Sequence, residues 1–134
     1  VEFLEAIAYP QEFSADIAHA IEAHSFSAGI PARTLEARIV QDADRLDAVG
    51  AIGIARCFAM SGMMGRPFYS EIDPFCEERP VDDRAHTVDH FYAKLLKLTE
   101  RLNTPAAREE GARRTHMLTQ FLAQLRSELC CDRS

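Results

Sequence analysis

Between Ile39 and Gly50 the chain reads Ile-Val-Gln-Asp-Ala-Asp-Arg-Leu-Asp-Ala-Val-Gly, which puts Asp42, Asp44 and Asp47 within six residues. A carboxylate is costly to bury unless it is hydrogen-bonded, paired or bound to a cation. Three of them beside an apolar stripe leave two readings, a solvated acidic face or the edge of a cation site. The spacing predicts a helix from Leu35 to Met60, on which Ile39, Ala43, Leu46, Gly50, Gly53 and Cys57 recur at alternating steps of four and three. At about 100° per residue, Asp47 projects about 40° from Ala43 at the stripe centre and Asp44 about 100°. Both share a flank with Val40 and Phe58, whereas Asp42 falls on the opposite flank and reads as a boundary or surface residue. Asp44 and Asp47 are therefore expected to edge a cleft, and Asp42 is not. The small residues Ala48, Gly50, Ala51, Gly53 and Ala55 would let a neighbouring backbone approach such a central helix closely.

With 134 residues, 47% of them apolar, residues 1–134 read as a single domain with a real core. A net charge of −6 argues against non-specific nucleic-acid binding, which needs a basic footprint. No apolar run approaches the roughly 18 residues of a membrane span. Cys57, Cys76, Cys130 and Cys131 form neither a Cys-x-x-Cys pair nor a zinc-type spacing, which fits a reducing, cytoplasmic setting. The chain opens on Val1 inside an apolar-patterned segment, so the domain is expected to have further helices before it.

Val1 to Ala8 reads as the end of a helix that Tyr9-Pro10 interrupts. Phe13, Ile17 and Ile21 make the next stripe and His24 continues it, so His24 is expected to face inward and His19 outward. Residues 25–31 form a turn-rich loop, and Thr34 is placed to cap the acidic helix. Gly62 to His86 is a long connection carrying Phe68, Tyr69 and Phe75; loops of this length often cover sites or make interfaces. Val88, Phe91, Leu95, Leu98 and Leu102 predict a helix from Thr87 to Leu102. Thr104 then caps, and Pro105 opens, a last helix packed by Met117 or Leu118, Phe121, Leu122, Leu125 and Leu129. Lys94 and Lys97 are three apart and are expected to share one face, either solvated or facing a substrate phosphate. No alternating strand pattern and no repeat is present. The class is all-α.

The run Ala43-Asp44-Arg45-Leu46-Asp47-Ala48 resembles the last motif of the HD-domain metal-dependent phosphohydrolases. The segments from His19 to Ser27 and Leu35 to Phe58, then Asp73-Pro74-Phe75, Arg79 to Asp83 and Asp89-His90-Phe91, are similar to a group of bacterial HD-domain hydrolases. The resemblance spans about His19 to Leu129 and implies an HD-domain-like helical bundle. It matches Asp44 to the metal-ligating aspartate and Asp47 to a position lining the site. His24 falls where related enzymes place a further ligand or a phosphate-contacting group. The His-Asp pair that names the family, and the histidine before it, are absent from these residues. The resemblance places those ligands on helices preceding the region seen here.

It further implies a divalent cation (manganese, iron, nickel, zinc, cobalt or magnesium) and a small phosphorylated substrate such as a nucleotide. A bound divalent ion lowers the pKa of its water and polarises a phosphoryl oxygen. Asp44 would ligate it and Asp47 would orient a ligand or water. The competing expectation is a catalytically inactive helical module that keeps the fold and binds a partner. Without the preceding helices, apolar surface at Ile39, Ala43 and Leu46 would be uncovered, which also allows a homo-oligomer.

Overall fold

The computed structural model describes residues 2–25 and 29–130, and among these there are helices and no strand. A short α1 (Glu2–Ala6) precedes a 3-10 turn, Gln11–Phe13, that leads into α2 (Ser14–Ala23). Helices α3 (Leu35–Asp47) and α4 (Gly50–Met63) follow, then a non-helical connection to α5 (Thr87–His90). A π-helical turn, Phe91–Leu95, continues α5 through α6 (Leu96–Leu98) into a 3-10 turn, Thr99–Arg101. The last helix, α7, runs from Pro105 to Cys130. The bundle is all-α, as its sequence implies. The side chain of Cys130 and all of Cys131, and so both thiols of the terminal pair, lie outside the described residues.

The core lies where α4, α5 and its π turn meet α7. Val88, Phe91, Leu95 and Leu98 bury against Val49, Phe75, Leu118 and Leu122. Phe91 stacks on Phe121 with ring centroids 5.6 Å apart, and Phe58 meets Phe121 edge-on at 5.6 Å and Phe68 at 5.0 Å. Thr34 caps α3 by accepting the Ala37 N–H, and Thr104 caps α7 by accepting that of Ala107.

The expected straight helix from Leu35 to Met60 is two helices bent by 64°. Val49 is extended and Gly50 has φ +73°, a conformation that glycine reaches without a Cβ penalty. A Cβ on Gly53 would lie 2.2 Å from the Ala48 carbonyl oxygen, so this glycine lets α4 pass tightly under the end of α3. The carbonyls left open by the break find donors: Arg114 of α7 donates to Leu46 O at 2.7 Å. The small residues thus serve a sharp corner rather than a close-packed straight helix.

Along α3 the buried residues are Ala37, Gln41, Asp42 and Arg45, while Ile39, Val40 and Ala43 are exposed. Asp42, expected at the surface, is 2% exposed. Asn103 donates its backbone N–H and its side-chain amide to Asp42 Oδ1 at 2.8 and 2.9 Å. Thr104 donates its N–H and hydroxyl to Oδ2 at 2.8 and 2.9 Å. Gln41 donates to Ala23 O at 2.7 Å and accepts from Asn103 at 3.0 Å, and Arg45 donates to Arg101 O. Polar side chains therefore join α3 to α2 and to the start of α7. Apolar periodicity reports the other side of the helix.

The connection between α4 and α5 is held by a second polar knot. Asp89 is fully buried and receives both terminal nitrogens of Arg79 at 2.6 Å, together with the Asp82 N–H at 2.7 Å. Asp73 accepts the N–H groups of Glu77, Glu78 and Arg79 at 2.9–3.1 Å, which drives its carboxyl down to about 2. Burial alone pushes Asp89 up, but the Arg79 bonds and the Asp82 N–H outweigh it and leave the pKa below the ordinary value.

Candidate functional site

Asp44 sits on the exposed side of α3, and its side chain makes no hydrogen bond or ion pair among the described residues. Asp47, at the C-terminus of α3, is also exposed and pairs with Arg56 of α4, which spans the corner. His24 is exposed rather than inward-facing: it follows the end of α2, with its Nδ1 2.5 Å from Ile21 O. The stripe it was expected to extend is not the buried side of α2, whose buried residues are Ala20 and Ala23. His19 is half-buried and accepts the Arg33 N–H at 3.0 Å through Nε2, so it anchors the loop before α3.

Among the described residues no three His, Cys, Asp or Glu side chains gather in a way that could hold a metal ion. An oxygen ligand of Asp44's kind suits a divalent cation, but a catalytic site usually draws on about three protein ligands. The described residues do not amount to a metal centre on their own.

Beyond the corner, α4 and α5 enclose a cleft of about 550 Å³ with the residues around Arg66 and Arg84. Its walls carry Arg56, Arg66, Arg84 and Lys94, against the single carboxylate of Asp83. That carboxylate is engaged by His90 Nδ1 at 2.9 Å. Cys57 also lines the cleft; burial pushes its thiol up, partly offset by the positive charge of Arg66. Neither Asp44 nor Asp47 lines this space, although Asp47 reaches it through Arg56. Lys94 faces the cleft, but Lys97 is exposed and does not line it, so the two lysines do not act on one face. The π turn between them changes the helical phase. The three arginines were not legible as a set, because 10 and 18 residues separate them and only Arg56 lies on a helix.

Residues 1–49, which include α1, α2 and α3 with its acidic cluster, match the family model of the HD domain. The chain is also 38% identical over 96 residues to YpgQ of Bacillus subtilis, an uncharacterised protein, a match that covers 72% of this chain. The chain belongs to the HD-domain family. An HD-superfamily hydrolase from Bacillus thuringiensis has the same fold, with a TM-score of 0.75 and 39% identity over 96% of this chain and 59% of that one. The crystal structure of B. subtilis YpgQ in complex with ADP matches with a TM-score of 0.75 and 32% identity. That match covers 95% of this chain and 58% of the other. The HD-domain residues described here thus correspond to part of longer relatives, 41% of YpgQ in the sequence match. Among the described residues no single helix is long and apolar enough to cross a membrane.

Proposed function

We propose that this protein is a metal-dependent hydrolase of small phosphoesters, with Asp44 as one ligand of its divalent cation. The observation that carries the reading is the state of Asp44: a solvent-facing carboxylate without a protein partner, in a segment matched by the HD-domain model. A structural acid such as Asp42 is saturated by donors; Asp44 has its oxygens open for a ligand. The cation would lower the pKa of a bound water and polarise the phosphoryl oxygen. The remaining ligands come from residues outside 1–134, and the part of the relatives' length that this chain does not span gives room for them. Asp47, tied to Arg56, positions the cleft side of the site, and His24 stands as a second ligand candidate at the end of α2. The ADP held by B. subtilis YpgQ favours a nucleotide among the phosphoesters. Free thiols at Cys57 and Cys76 fit the reducing cytoplasm. Further residues of the protein would cover the exposed Ile21, Leu35, Ile39 and Val40, with a second copy as the other route.

The test is Asp44→Ala in the full-length protein, read by bound metal and by hydrolysis of a generic phosphoester. Loss of about 100-fold or more in turnover is expected together with loss of tightly bound metal. The melting temperature should stay unchanged, because an exposed carboxylate without partners leaves nothing unsatisfied behind. Wild-type turnover in Asp44→Ala would overturn the assignment. A full-length protein that binds no divalent metal would instead support the inactive binding module.

A further inference from the structure

Helix α4 is apolar almost all round: its 14 residues include one charge, that of Arg56. A helix of that composition is stable where every side of it is covered. One side is covered, since Ile54, Cys57 and Phe58 pack against the core. At about 100° per residue the opposite side is made by Ala51, Ile52, Ala55, Ala59, Gly62 and Met63, within an arc of about 120°. All six are exposed, Ile52 by 60% and Met63 by 82%, and none carries a charge. Met117 of α7 lines the same groove as Ala51 and Ile52, so the apolar face is wider than one helix. Other elements carry it than those of Ile21, Leu35, Ile39 and Val40, which belong to α2 and α3.

We propose that this face is the interface of a two-fold homodimer, in which α4 packs antiparallel on the α4 of a second copy. With the two-fold axis level with residue 57, Ala51 meets the partner's Met63, Ile52 the partner's Gly62 and Ala55 the partner's Ala59. Both large side chains then fall on small residues, and the centre holds only alanines, which lets the helix axes approach to about 8 Å. A Cβ on Gly62 would meet nothing within 4 Å, so the space above it is open to an isoleucine. A two-fold contact must be self-complementary, and an unrelated partner would impose no such symmetry on the order of large and small residues. The charges satisfy the same condition. Each copy carries a net charge of −6, so the contact must not bring unpaired like charges together. Arg56 on one rim is paired with Asp47, and Glu110 on the other is bonded by Arg113 and Arg114 at 3.0 and 2.7 Å. The two-fold axis sets each rim against the same rim of the second copy, and a rim that holds both signs complements itself. The face runs about 18 Å along the helix, at the small end of specific interfaces, so the dissociation constant should be micromolar. The dimer goes beyond the hydrolase reading and needs no metal.

Sedimentation equilibrium of the full-length protein reads the association. Wild type should be dimeric at about 100 μM and dissociate on dilution to about 1 μM. Ala59→Glu sets a carboxylate against the partner's Ala55 and should raise the dissociation constant at least about tenfold. Gly62→Leu should do the same by colliding with the partner's Ile52. Both positions are exposed, so circular dichroism should show unchanged helix content. Exchanging the two sizes within one chain, Ile52→Ala with Gly62→Leu, should restore dimerisation to within about threefold of wild type, because a large residue again meets a small one. Ile72→Asp, in the connection between α4 and α5, should associate as wild type does. So should Asp44→Ala, which separates loss of the metal ligand from loss of the interface. A full-length protein that stays monomeric at about 100 μM, its own further residues covering α4, would overturn the proposal. A dimer that Ile39→Asp abolishes and Ala59→Glu leaves intact would overturn it too, by placing the second copy on α3. An Ile52→Ala, Gly62→Leu protein that associates no better than Gly62→Leu alone would rule out the antiparallel register.

Discussion

Replacing Asp42 by alanine removes the acceptor of four hydrogen bonds that tie α3 to the start of α7, two of them from the backbone of Asn103 and Thr104. The side-chain donors can turn toward water, but the two N–H groups are fixed by the entry into α7. Each buried donor left unmet costs about 1–3 kcal/mol, so the substitution should destabilise the domain by about 3–5 kcal/mol. That is a large share of the roughly 5–15 kcal/mol that holds a domain of this size together. At roughly 4 °C per kcal/mol the melting temperature should fall by about 12–20 °C. Asp42→Asn keeps the shape but points an amide donor at other donors, so it should lose nearly as much. Thermal unfolding followed by circular dichroism reads all of this, with Asp44→Ala as the comparison that should melt within about 2 °C of wild type. A shift below about 2 °C in Asp42→Ala would refute the claim that this acid is structural.

Acidification should unfold the protein in a defined window. Burial pushes Asp42 up, but the Asn103 and Thr104 donors outweigh it; Asp42 and Asp89 lie below their ordinary values and Asp73 at about 2. Their stabilisation is complete above the unfolded pKa of about 4 and is lost as pH falls through the folded values, so stability should drop between about pH 4 and pH 2. Stability that stays flat over that range in an acid titration would show that these carboxylates are not preferentially ionised in the fold. Gly53→Ala places a Cβ 2.2 Å from the Ala48 carbonyl oxygen and should cost about 2 kcal/mol or more, whereas Gly62→Ala meets nothing within 4 Å and should be neutral or mildly stabilising. Equal melting temperatures for the two variants would remove the steric account of the α3–α4 corner.

The helix predicted for Thr87 to Leu102 was legible because its inward residues are the apolar ones: Val88, Phe91, Leu95, Leu98 and Leu102 are all buried. The same holds for Leu118 and Leu122 on α7, and both threonine caps follow from short-range geometry. On α3 the rule inverts. There, apart from Ala37, the buried side chains are an amide, a carboxylate and a guanidinium, whose partners lie at Ala23, Arg101, Asn103 and Thr104. No local pattern links Asp42 to residues 61 positions away. The signal that exists is at the far end: a helix opening at Thr104-Pro105 needs acceptors for its first N–H groups, and an acid supplies them well. The cationic cleft was illegible for a similar reason, since its arginines come from α4 and two places in an irregular connection.

The acidic segment therefore divides by environment rather than by spacing. Asp42 faces donors in the interior and is spent on structure. Asp47 meets Arg56 across the α3–α4 corner, so the bend that glycine permits also brings a carboxylate to the border of the cationic cleft. Asp44, between them, is exposed, and its carboxylate has no protein partner among the described residues. A helix continuing straight to Met60 would have carried Arg56 and the cleft about nine residues, or roughly 13 Å, along the axis from Asp47. The corner folds that distance back. Only with it does the acidic segment, through the Asp47–Arg56 pair, meet the α4–α5 cleft.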